Sequence, residues 1–151
     1  SYMIMLMKKI GIVFFTLFVT LGLVSCFYEE DSSYDYEIED CLTEGLWTLD
    51  KVVTYDGDSR FDYSYTTYPI PTTMRFFYDG TAEIQEPGGR FSGNWHIDYG
   101  VLVVDLYDYW GHYSGSYEYS VYSYSPHMLV LSYYSEDEYG SLYLVEEYYG
   151  R

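Results

Sequence analysis

Beyond Gly45, apolar and aromatic side chains recur at every second position in short runs, and turn residues interrupt these runs about every ten positions. Leu46 to Thr54 places Trp47, Leu49 and Val53 on one face, and the Asp56 to Ser59 segment turns the chain. Thr66 to Thr73 carries Pro69 and Pro71, which predicts a loop or a poor edge strand, because proline cannot donate to a ladder. Met74, Phe76 and Tyr78 share the next face. Asp79-Gly80 then precedes the alternating Ala82 and Ile84, a strong hairpin signal. After Glu86-Pro87-Gly88-Gly89, a single face collects Phe91, Gly93, Trp95 and Ile97, and Tyr99-Gly100 predicts another turn. Leu102, Val104 and Leu106 line one side of the following run, and Val101 and Val103 opposite them predict a strand covered on both sides. Between Tyr113 and Ser125 the pattern changes phase, with Tyr117, Tyr119 and Val121 in one register and Tyr122 and Tyr124 in the other, which predicts a bulge near Val121. Met128 to Tyr134 and Gly140 to Glu147 complete about eight strands. The prediction is an all-β domain over 45–151, an antiparallel meander forming a barrel or a strongly curved sheet, with Trp47, Phe76, Trp95, Leu102, Val104, Leu129 and Leu131 inside.

The first 44 residues follow no such alternation. Lys8 and Lys9 precede an apolar run from Ile10 to Val24, shorter than the ~20 residues that span a bilayer, which describes a cleaved export signal. Residues 1–6 add nothing to that signal and read as an upstream remnant. Leu23-Val24-Ser25-Cys26 resembles the lipobox of bacterial lipoproteins, and the resemblance implies acylation of Cys26 and a stable membrane anchor. From 26 to 44 the chain is acidic, which predicts a solvated tether; a helix there is too short to hold without packing. Glu29, Glu30 and Asp31 resemble the surface-export signal of Bacteroidota lipoproteins, and as a plain spacer they keep the tether extended.

Charge narrows the list of partners. The formal net charge is −17, every acidic residue lies beyond Cys26, and the basic residues after it, Lys51, Arg60, Arg75, Arg90 and Arg151, are scattered. Such a field repels phosphates, so nucleic acid is excluded as a partner. With Cys26 acylated, Cys41 has no disulfide partner; no histidine or basic residue stands within a few positions of it, and it reads as an inert small hydrophobe.

Gly45-Leu46-Trp47 resembles the Gly-x-Trp motif of lipocalins, and Ser92-Gly93-Asn94-Trp95-His96-Ile97 before Leu102-Val103-Val104 is similar to short lipocalin-like lipoproteins of the Bacteroidota type. The resemblance spans about 45–147 and implies an eight-stranded barrel whose base is closed by Trp47. The sequence departs from the lipocalin pattern in three ways: no Thr-Asp-Tyr box, no arginine in the last strand to stack on Trp47, and no helix after that strand.

Catalytic and metal signatures are absent from the sequence. Asp56, Asp58 and Asp62 lack the glycine and closing glutamate of a calcium loop; His96, His112 and His127 show no ligand spacing; no nucleophile elbow or phosphate loop occurs. The chain therefore reads as a non-enzyme without cofactor or metal. Its 23 tyrosines, many interleaved with serine, fit the outer face of a sheet. They also match the composition of recognition surfaces, centred here on Trp110, His112, Tyr113, Tyr117 and Tyr119. Two functions follow: a lipid-anchored outer-membrane or cell-surface binding module for a glycan or small apolar ligand, or a structural module with a filled core that contacts another envelope protein.

Overall fold

The computed structural model describes residues 34–151, so the leader, Cys26 and the acidic group Glu29, Glu30 and Asp31 lie outside the described residues. A helix, α1 (residues 34–43), is followed by nine strands: β1 (Leu46–Tyr55), β2 (Ser64–Thr67), β3 (Thr73–Phe76), β4 (Thr81–Glu86), β5 (Gly89–Asp98), β6 (Val101–Tyr107), β7 (Tyr113–Tyr124), β8 (Met128–Glu136) and β9 (Leu142–Gly150). Every pairing is antiparallel, and β9 returns to pair with β1 through residues 48–54, which closes the sheet into a barrel. β2 and β3 both lie on the far side of β1, against residues 52–55 and 46–48 respectively. They form one stave interrupted at residues 68–72, where Pro69 and Pro71 remove two ladder donors. The closed structure is thus an eight-stranded up-and-down barrel plus the short extra strand β2.

Period-two alternation decides what fills it. All seven residues predicted inside are buried, and Phe76 meets Trp95 edge-to-face with ring centroids 5.4 Å apart. Gly93 is a packing glycine: a Cβ there would lie 2.7 Å from the carbonyl oxygen of Asp105 on the neighbouring strand. The predicted phase change is a bulge at Tyr122, between the pairs Val121↔Leu131 and Ser123↔Val130. Tyr99 and Gly100 have φ of 50° and 74°, the two positive values a tight hairpin with the right twist requires. Three strand expectations change. An irregularity between Leu49 and Lys51 turns Val53, expected on the face of Trp47 and Leu49, to the outside of the barrel opposite Glu146. Tyr78 is 75% exposed in the turn after β3, and Val101 and Val103 keep part of their surface on the outside of the barrel.

The larger correction concerns 26–44, because residues 34–43 are not tether. Ile38, Cys41 and Leu42, spaced i, i+3, i+4, form one apolar face that plugs the barrel end bounded by the β3–β4, β5–β6 and β7–β8 turns. Tertiary packing supplies what the short segment lacks alone. Its acidic side chains have partners too: Asp35 accepts from the Tyr99 and Gly100 N–H groups at 3.0 and 2.8 Å, and Glu37 accepts from the Tyr124 hydroxyl at 3.0 Å. Trp47, fully buried, donates its indole N–H to the Leu42 carbonyl at 3.0 Å, locking the plug to β1.

Arg151 corrects the departure noted for the last strand. One residue past β9, it places its guanidinium 5.0 Å over the Trp47 ring, pairs with Glu44 at 2.6 Å and donates to the Pro126 carbonyl. A Cβ at Gly45 would come within 2.8 Å of Arg151 Cδ, so the glycine of the Gly-x-Trp triplet is what lets the arginine lie across the tryptophan. Cys41 is buried in this cluster; its thiol donates to the Ser125 carbonyl at 3.3 Å, and burial pushes its pKa up.

The outer surface carries a second, smaller layer. Residues 56–63 fold over β8 and β9, where Gly57 accepts from the Leu144 N–H at 2.8 Å, and Val53, Val130, Ser132, Leu144 and Glu146 are buried. Glu146, 1% exposed, accepts from Arg60 Nε and from the hydroxyls of Tyr55 and Tyr148. Arg60 also lies 3.6 Å over the Tyr122 ring.

Candidate functional site

Among the described residues, nothing covers the end opposite α1. Inward-facing residues of β1, β3, β4, β6, β7 and β9 leave a cavity of about 90 Å³ there, lined by Leu49, Thr72, Met74, Ile84, Glu86, Val104, Leu106, Tyr117, Tyr119, Glu147 and Tyr149. Two larger hollows, about 250 and 370 Å³, are surface grooves beside the β8–β9 turn and beside α1.

Its polar centre is Glu147. This carboxylate accepts from the Tyr149 hydroxyl at 2.6 Å and from the Tyr133 hydroxyl at 3.3 Å. Burial pushes its pKa up; the two phenol hydrogen bonds pull it back, and the Glu86 charge adds to the rise. The phenols of Tyr119, Tyr133 and Tyr149 are driven well above their ordinary range by burial and then by the Glu147 charge, so they remain protonated donors. Tyr117 and Tyr119, two apart on β7, have nearly parallel rings 6.4 Å apart, and Tyr119 meets Tyr133 edge-on at 5.6 Å. The arrangement is a small aromatic cup with two carboxylates, Glu147 and Glu86, at its wall.

The structure divides the five residues predicted to contact a ligand. Tyr117 and Tyr119 line the cavity. Tyr113, displaced by the bulge opposite Leu106 and Tyr107, turns outward and packs edge-on against Tyr107 at 5.9 Å. Trp110 and His112 sit in the β6–β7 turn, where Asp108 Oδ1 accepts from both of their N–H groups at 2.9 and 2.8 Å. The β8–β9 turn repeats this arrangement: Asp137 Oδ1 accepts from Tyr139 and Ser141 at 2.9 and 2.8 Å. Each turn displays an exposed aromatic side chain, Trp110 or Tyr139, on a backbone fixed by its own aspartate. Gly45 and Trp47 belong to the closed end.

Glu147 and Tyr149 were missed in the sequence, although a signal is present. Glu146 and Glu147 are consecutive within a strand, so one of them must face the interior. Among the described residues no three His, Cys, Asp or Glu side chains come together to hold a metal ion, and no helix is long and apolar enough to cross a membrane.

Strand order, closure at β1–β9 and a cavity at one end define a small up-and-down barrel of lipocalin-like architecture. No family model and no curated protein matches the sequence. Among solved structures it is similar to a bovine odorant-binding protein, a deswapped triple mutant, at 16% identity over 71% of this chain and 72% of that one, with a TM-score of 0.38.

Proposed function

We propose that the chain is a non-catalytic binding protein whose barrel takes one small, largely apolar ligand at the tyrosine-lined mouth. The observation that carries this reading is the cavity itself, open at one end, walled by Leu49, Met74, Ile84, Val104 and Leu106, and provided with converging polar groups at Glu147. Its volume is below the ~150 Å³ that accommodates benzene in an engineered core, so the inserted part of the ligand is only a few heavy atoms. Filling the cavity tests the reading. Leu106→Trp should abolish the rise in Tm that compact apolar compounds give the parent protein, a shift of about 2–4 °C for each 1 kcal/mol of binding. A rise that persists in Leu106→Trp would place the ligand elsewhere and reject the cavity.

The lipid anchor at Cys26 and an outer-membrane, surface-facing address are part of the same proposal, supported by Lys8, Lys9, the apolar run, the lipobox and the acidic group Glu29, Glu30 and Asp31. Mass spectrometry of protein from its native host should find the chain starting at Cys26 with acyl chains attached; an unmodified thiol on a chain that keeps its leader would refute the anchor. Contact with a glycan or another envelope protein is favoured by one further observation, the display of Trp110 and Tyr139 on two similarly braced turns at the open end.

A further inference from the structure

We infer that the barrel cavity selects a small organic cation, an alkyl- or arylammonium ion, with Glu147 as its counter-ion. This rests on the barrel being a ligand site and adds the chemistry of its occupant. Two carboxylates face the cavity, Glu147 from β9 and Glu86 from β4. None of the basic residues of the described chain does. Lys51 lies over the Tyr148 ring outside the barrel at 4.6 Å, Arg60 is held by Glu146, Arg75 lies over Phe77 at 5.3 Å, Arg90 pairs with Glu83 at 3.0 Å, and Arg151 is committed to Glu44 and Trp47 at the closed end. Among the described residues, the interior therefore contains negative charge and no positive charge to meet it.

A carboxylate drawn out of water is costly unless it is paired, and two phenol hydrogen bonds occupy only about half of its roughly four lone-pair sites. The fold gives Glu146, its neighbour in sequence, an arginine on the outer face; it gives Glu147 none. The missing charge is what an ammonium group supplies. The surrounding rings suit the same guest, since the aromatic lining of Tyr117, Tyr119 and Tyr149 attracts a cation that has shed its water. The apolar wall of Leu49, Ile84 and Leu106 accepts a short hydrocarbon tail.

Proton linkage gives a second signature. The titratable groups facing Glu147 are Tyr149 on its own strand, Tyr133 on β8, Tyr117 and Tyr119 on β7 and Glu86 on β4. An ammonium ion binds the ionised carboxylate. Its affinity must therefore fall as the pH drops through the raised pKa of Glu147, and a neutral guest of the same shape shows no such fall.

Calorimetry on the full chain in a nonionic detergent, with n-butylammonium, n-butanol and butyrate as probes, tests the inference. Butylammonium should bind at least about tenfold more tightly than the other two, with an affinity that weakens with added salt and with acid. Glu147→Gln, which keeps the volume and an acceptor for both phenols, should erase that preference. If butanol binds as tightly as butylammonium, or if the amine is indifferent to salt, pH and Glu147→Gln, the cation is rejected and the apolar site stands. Failure of all three probes to bind rejects the site itself. The salt and pH series uses the parent protein, so the test holds whether or not the variant folds.

Discussion

Replacing Trp47 by alanine will lower the free energy of unfolding by about 3–5 kcal/mol, a large part of the ~5–15 kcal/mol that holds a domain of this size together. The effect has three sources. Trp47 is fully buried beneath the plug, so truncation leaves a void between β1 and the helix residues Ile38 and Leu42. The Leu42 carbonyl loses its 3.0 Å donor in a buried setting. Arg151 loses the ring on which its guanidinium rests. Denaturant titration gives the magnitude, and amide exchange across residues 35–43 should show the helix opening well before the barrel unfolds. Trp47→Phe, which keeps most of the volume and forfeits the hydrogen bond, should cost about 1–3 kcal/mol, less than the alanine variant. A loss below about 1 kcal/mol for Trp47→Ala would show that the plug does not rest on this residue.

Arg60→Ala should be the next most damaging change, at about 2–3 kcal/mol. Glu146 is 1% exposed, and without the guanidinium it retains only the Tyr55 and Tyr148 hydroxyls. The figure is set below that of a fully sealed ion pair because the Arg60 side chain is 34% exposed and water screens part of the attraction. The cost arises from stranding the acid, not from losing an attraction. The double variant Arg60→Met/Glu146→Leu should accordingly recover most of the deficit by extending the apolar layer of Val53, Val130 and Leu144. A double-mutant cycle reads this directly, and a double variant as unstable as the sum of the two singles would refute it.

How far these features could be read from the sequence depends on what enforces them. Strands with one face in a barrel obey a strict alternation, so the seven predicted interior residues and the bulge at Tyr122 were visible from spacing alone. The plug was not. Its three apolar residues, Ile38, Cys41 and Leu42, sit in a run of acids, and they become a meaningful face only when a barrel end exists to receive them. Arg151 is hidden because it lies one residue past the last strand, outside its alternation, and reaches Trp47 from there. The site was half legible. Tyr117 and Tyr119 stood out as members of an aromatic block, but Glu147 is one of 24 acids, and abundance hides the one whose surroundings differ.

Because the helix stoppers one end, the described residues leave the vessel one doorway, framed by the turns that carry Trp110 and Tyr139. For the ligand proposed above, a newcomer cannot push the resident out from behind, so exchange must wait for the resident to leave. Turnover of the bound molecule is then governed by its own rate of escape and is insensitive to how much competitor surrounds the protein.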